Sequence, residues 1–170
     1  MKYSKAVFTS AVLFLLLLLA SCGASSKGNA YSPEQTFTVG MSAQKDGKNF
    51  EADIICDGYN DIKIMFTSPE ELSGFTVTAG ENGFNVNAFG IIDEISSAEL
   101  NKASLLYILT ETLRTAVFTN HGKFKESADG YSAELMISNT PVSVTFSEDG
   151  YITQMTAPTM DFSAVFKYAG

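Results

Sequence analysis

The chain has no tryptophan, one histidine, two cysteines and eleven basic residues against nineteen acids in 170 residues. Each shortage closes off a class of function. Two cysteines cannot build a disulfide framework of the kind that staples small exported domains. One histidine, His121 in TNHGK, has no spaced partner for a metal cluster or a nucleophile–base pair, and its place after a helical stretch suits a helix end or solvent. No GxSxG, GxGxxG or P-loop motif occurs, so the glycines mark turns. A formal charge of −8 disfavours nucleic acid and anionic membrane surfaces as partners. No cofactor and no metal is expected from these residues, and no catalytic residue.

What is present starts at the N-terminus. Lys2 and Lys5 precede an apolar core from Ala11 to Ala20, followed by small residues. A basic start, an apolar middle and a small-residue end make an export signal. The run is short for a stable membrane span of about 20 residues. Its end, Leu19-Ala20-Ser21-Cys22, resembles the lipobox of bacterial lipoproteins. That resemblance implies a signal peptide over residues 1–21, cleavage before Cys22, and diacylglycerol on the Cys22 sulfur with acylation, for instance by palmitate, of the new amine. Several acyl chains anchor firmly because each buried CH2 contributes about 0.8 kcal/mol. With Gly23 rather than aspartate after the cysteine, the implied location is the extracytoplasmic face of a cell membrane or an outer membrane.

Removing residues 1–21 leaves 149 residues, enough for one domain with a real core. It removes Lys2 and Lys5, so nine bases face nineteen acids and the formal charge becomes −10. Residues 22–35, ending GASSKGNAYSPEQ, read as a lipidated terminus and flexible stalk. Cys56, in ADIIC, reads as a buried inert thiol.

From residue 36 the pattern is dominated by period-two alternation, the mark of half-buried strands. TFTVGMSA, NFEADIIC, DIKIMF, GFTVTAG and GFNVNAFG are separated by the turns KDGK, DGYN, SPEELSG and GENG. The period then changes. Residues 98–118 read as a helix, with Ser96 and Glu99 as a capping box and Asn120 or Gly122 as a stop. Leu106, Leu109, Leu113 and Val117 form its stripe, Leu100 and Ala103 extend it, and Leu105, Tyr107 and Ile108 widen it. Alternation returns in the polar GKFKESA, then in YSAELMIS, VSVTFS, YITQMTAP and DFSAVFKYA. Short turn-rich links imply antiparallel neighbours. The expected fold is mainly β: a curved antiparallel sheet or incomplete β-barrel of about nine strands, with one long helix, inserted after the fifth strand, on the concave face.

The stretch Phe66-Thr67-Ser68-Pro69-Glu70-Glu71-Leu72-Ser73-Gly74-Phe75-Thr76-Val77, preceded by FEADI and DIKIMF, resembles the LolA/LolB-type lipoprotein localisation fold. The likeness would run from Phe37 to Phe166. It implies an incomplete barrel closed by helices around an apolar cavity for acylated proteins or lipids, with no catalytic motif. This chain departs in having one clear helix and fewer than the usual eleven strands, and no family ligand residue carries over.

Thirteen Phe and seven Tyr remain to be placed. Phe50, Phe66, Phe75, Phe84, Phe146, Phe162 and Phe166 fall on inward faces. They fill a core, or they leave an apolar cleft that Met41, Met65, Met136, Met155 and Met160 could help line. The candidate lining is Phe66, Phe75, Phe84, Leu106, Leu109, Leu113, Phe146 and Phe166. Asp93 with Glu94, and Glu148 with Asp149, read as solvated turns where weak calcium binding is the alternative. Glu70 and Glu71, adjacent in a loop, cannot flank a substrate as paired carboxylates do. Ser68 and Ser73 read as structural. Two functions lead: a membrane-anchored, non-catalytic module for a hydrophobic ligand such as an acyl chain or lipoprotein, and a structural or protein-interaction domain of the cell envelope; an enzyme, the third and weaker class, would need a polar cleft that gathers distant residues.

Overall fold

A computed structural model describes residues 31–96, 99–119 and 124–168. The signal segment, the lipobox with Cys22, Ala98, Asn120, His121 and Gly122 lie outside the described residues.

The strands are β1 (Thr36–Lys45), β2 (Lys48–Asp57), β3 (Ile62–Ser68), β4 (Thr76–Ala79), β5 (Gly83–Ala88), β6 (Ile91–Ser96), β7 (Lys125–Ser127), β8 (Gly130–Ile137), β9 (Thr140–Phe146), β10 (Ile152–Ala157) and β11 (Phe162–Lys167). They form one curved antiparallel sheet in the order β6-β5-β4-β3-β2-β1-β11-β10-β9-β8-β7. Two meanders, β1–β6 and β7–β11, meet where β1 pairs with β11. The sheet does not close, so β6 and β7 are its edges. Among the described residues one α-helix, α1 (Leu105–Leu113), continues as a π-helical stretch over Arg114–Thr119 and packs on the sheet.

Alternation delivers the core. Phe37, Val39, Met41 and Ala43 of β1 point inward, as do Phe50, Ala52, Ile54 and Cys56 of β2. Ile108, Leu109, Leu113, Ala116 and Val117 of the helical segment meet them from above. Each such Leu, Ile or Phe contributes about 1.5–3 kcal/mol by leaving water. On β10 a bulge between Ile152 and Gln154 changes the phase, so Ile152 and Met155 both face inward while Gln154 is exposed. Asp46-Gly47, Phe89-Gly90 and Ser138-Asn139 make two-residue hairpin turns with both residues at positive φ.

The structure corrects the expected fold in three places. The sheet has eleven strands rather than about nine, and the helix follows the sixth. Strand β6, IIDEIS, lacks alternation because neither of its faces is covered, so period two had nothing to report. Asp93 and Glu94 consequently sit in a strand rather than a turn. The helix also begins at Leu105. Ser96 and Glu99 do form the expected capping pair, with the Ser96 N–H donating to Glu99 Oε2 at 3.1 Å. That pair heads a turn only. Asn101 intervenes: its side chain accepts from the Ala103 N–H at 2.9 Å and its carbonyl from the Ser104 N–H at 2.8 Å. Local side-chain bonds of this kind compete with helix. Ser104 then supplies the real cap, accepting from the Tyr107 N–H at 3.3 Å.

Residues 31–35, assigned by composition to the stalk, pack on the body. The Tyr31 ring stacks on Tyr131 with centroids 3.8 Å apart, and its hydroxyl donates to the Ser147 carbonyl at 3.0 Å. The Glu34 N–H donates to the Gly150 carbonyl at 2.9 Å. Burial, helped by nearby Tyr131, pushes the Tyr31 hydroxyl up to about 12. Cys56 is buried, its thiol 3.7 Å from the Gln35 carbonyl, and burial raises its pKa as expected of an inert thiol.

Candidate functional site

Among the described residues, the side chains at the centre of the sheet and of α1 are sealed. Ile64, Ile108, Leu109, Leu113, Val144, Phe146 and Met155 keep at most 1% of their surface. Around these residues α1 and the sheet are in packed contact.

An apolar opening lies at one end instead. A cleft of about 320 Å³ is lined by Lys45, Asp46, Lys48, Asn49, Phe50, Pro69, Leu72 and Leu105. Three elements build it. The β1–β2 hairpin turns at Asp46-Gly47 and places Lys45 and Lys48 on the rim. The β3–β4 loop folds back on itself: the Leu72 N–H donates to the Pro69 carbonyl at 2.9 Å, and the Gly74 N–H to the Phe66 carbonyl at 3.2 Å. This holds Leu72, 37% exposed, at the opening. The Ser104 cap starts α1 so that Leu105 faces the same space.

Phe50, which lines the cleft, belongs to a connected row of phenylalanines. Phe50 lies 6.0 Å from Phe66 and 6.4 Å from Phe162, and Phe66 lies 5.8 Å from Phe75, measured between ring centroids. These spacings suit offset or edge packing and hold Phe50 in a rigid apolar row. The rim is charged. The Lys45 ammonium pairs with Asp46 and reaches the Met160 carbonyl at 3.5 Å. Lys48 is exposed and forms no ion pair among the described residues.

Of the sequence-derived lining set, Phe66 and Phe75 belong to this row. Leu109, Leu113 and Phe146 are sealed in the centre, Leu106 is half-buried, and Phe84 and Phe166 are buried elsewhere on the sheet. Met41 and Met155 are sealed and Met136 is 67% exposed. The eight residues therefore do not converge on one opening. Leu72, Pro69 and Leu105 were not singled out from the sequence as lining. The available signal was a lone leucine in the polar loop SPEELSG.

Arg114 was also missed. It is buried, and its Nε donates to the Tyr59 carbonyl at 3.0 Å, its Nη2 to the Gly80 carbonyl at 2.7 Å and its Nη1 to Glu111 Oε1 at 2.6 Å. Its guanidinium also sits 5.5 Å from the centre of the Tyr59 ring. It thus ties the helical segment to the β2–β3 and β4–β5 loops. Among the described residues no group of three His, Cys, Asp or Glu is placed to hold a metal, and no helix is long and apolar enough to cross a membrane.

No protein-family model matches the chain, and no curated protein matches it. Among solved structures, a LolA superfamily protein from Nitrosomonas europaea overlaps it with a TM-score of 0.41 and 11% identity, covering 81% of this chain and 86% of that one. A DUF1329 family protein from Desulfovibrio piger overlaps with a TM-score of 0.37 and 13% identity, covering 78% and 82%. At these scores neither neighbour transfers a ligand or a residue role.

Proposed function

We propose that the chain is a lipid-anchored, extracytoplasmic binding module that holds an acyl chain, free or on another lipoprotein, in the cleft at Leu72 and Leu105. The observation that carries this reading is the apolar cleft at Phe50, Leu72 and Leu105, with Phe50 joined by ring contacts to Phe66 and, through it, to Phe75. Its size is at the lower end for small-ligand sites, which suits part of a chain rather than a whole lipid. Lys48, without an acidic partner among the described residues, supports an anionic head group at the rim. The export signal and Cys22 support a place beside a membrane. No chemical step is assigned to the module.

A fluorescent fatty acid titrated into the protein tests the site. Uptake is expected, with a loss of about tenfold or more for Leu72→Asp, since a charge would be buried against the chain. Lys48→Glu is expected to remove any preference for the acid over the matching alcohol. Absence of uptake, or uptake indifferent to Leu72→Asp, sinks the proposal. The anchor is tested separately by palmitate labelling of Cys22→Ala, where retained label and retained membrane association would count against it.

The second reading, an interaction domain of the envelope without a small ligand, is supported by the sealed side chains at the centre and by exposed apolar residues on the β5–β6 hairpin. Recovery of a protein partner by an L72D variant that no longer takes the fatty acid would favour it.

A further inference from the structure

The two edges of the sheet are treated differently. Edge β7 spans three residues, Lys125–Ser127, and carries Lys125 and Glu126. A short, charged edge resists pairing with other chains. Edge β6 is twice as long, and its hairpin exposes Phe89, Ile91 and Ile92 at 73%, 75% and 70%.

The ladder decides which backbone groups of β6 are open. In a two-residue hairpin the closing pair, here Ala88 with Ile91, exchanges both backbone bonds, and the pattern alternates from there. Ile91, Asp93 and Ile95 thus bond to β5, while Ile92, Glu94 and Ser96 turn their N–H and C=O groups outward. Ser96 is already satisfied. Its N–H donates to Glu99 Oε2, and its carbonyl accepts from the Glu99 and Leu100 N–H groups at 3.0 and 3.1 Å. Ile92 and Glu94 keep their backbone groups open among the described residues. Asp93 and Glu94 are exposed, and neither forms an ion pair there.

We propose that β6 is a docking edge for one extended segment of another protein, added as an antiparallel twelfth strand and recognised by its basic and apolar residues. Reading across from Ile95 to Ile91, the register asks for apolar, basic, basic, apolar and apolar side chains. The basic pair faces Asp93 and Glu94, and the apolar residues cover Ile91, Ile92 and Ile95. Charge selects this occupant. A second copy brings no cation: centring the pairing on residue 93 or 94 opposes like charges, and centring it on Ile92 sets both acids against Ile91 and Gly90. A bilayer is a poorer fit, because residues 83–96 contain no Lys or Arg and two acids adjoin the isoleucines. The edge shares no lining residue with the cleft, so the two proposals stand or fall separately.

The test is amide hydrogen exchange on the full chain in detergent, with Thr-Val-Lys-Lys-Val-Val-Thr as probe and Thr-Val-Glu-Glu-Val-Val-Thr as control. The lysine peptide is expected to slow exchange at Ile92 and Glu94 by about tenfold or more, and raised salt to weaken the effect. Asp93→Lys with Glu94→Lys should reverse the preference between the peptides. Ile92→Pro should abolish binding with an unchanged circular dichroism spectrum, since proline removes a ladder donor at an exposed position. Three results would overturn the proposal: no protection by the lysine peptide, equal protection by both peptides, or protection without peptide. In the last case, dependence on protein concentration identifies a second copy, and dependence on phosphatidylcholine vesicles identifies a lipid surface.

Discussion

Leu113 and Ile92 are similar aliphatic residues with opposite fates. Leu113 has no exposed surface, and Ile92 is 70% exposed. Around Leu113, sheet and helix close on one another. Around Ile92, a hairpin projects past the last covered strand. The contrast shows that apolarity places a residue inside only where a second layer exists to receive it. Beyond that layer, the same chemistry becomes a surface for something else.

The contrast is broken most severely at the centre. Leu113→Ala is expected to cost about 2–5 kcal/mol, because the packed surroundings leave a cavity. Ile92→Ala should stay within about 0.5 kcal/mol, as exposed sites do. Urea unfolding of both variants measures the gap, and equal losses would refute the division. Arg114→Met is next. It leaves the Tyr59 and Gly80 carbonyls without their donor, an expected loss of about 1–3 kcal/mol. Faster amide exchange in the β2–β3 and β4–β5 loops should accompany it.

A smaller effect is expected at Tyr31, where the packed body begins. Its folded pKa lies above the ordinary value of 10.0, so its contribution is complete below pH 10 and is lost as pH rises toward about 12. Release of residues 31–35 from Ser147 and Tyr131 in that window, absent in Tyr31→Phe, can be followed by tyrosinate absorbance and limited proteolysis. The smallest effect is expected at the hairpin tip. Phe89 holds a left-handed φ of 55°, a conformation that costs a bulky L-residue roughly 1 kcal/mol and suits asparagine better. Phe89→Asn should leave stability equal or slightly raised, and a clear loss would mean that Phe89 has a packing role.

Legibility followed coverage. Strands β1, β2, β3, β9 and β11 alternate cleanly because one face of each is sealed and the other wet. Strand β6 carried no such signal, since it is uncovered on both sides. The helix stripe was legible from Leu106 onward, but its start was not. Ser96 and Glu99 make a genuine capping pair, and sequence spacing cannot say whether a helix or a single turn follows. The cleft was barely legible. None of the eight residues expected as lining borders it: Phe66 reaches it only through its ring contact with Phe50, and Phe75 only through Phe66, whereas Leu72, Pro69 and Leu105 come together from a loop and a distant helix start.

The sequence by itself determined the antiparallel meander, the inward row of phenylalanines and the acidic surface, because each depends on local periodicity or on composition. Only the tertiary structure decided which phenylalanines are sealed and which one lines an opening, and which of two sheet ends stays bare. Those outcomes depend on how far one helix reaches across eleven strands, a distance that no local pattern encodes.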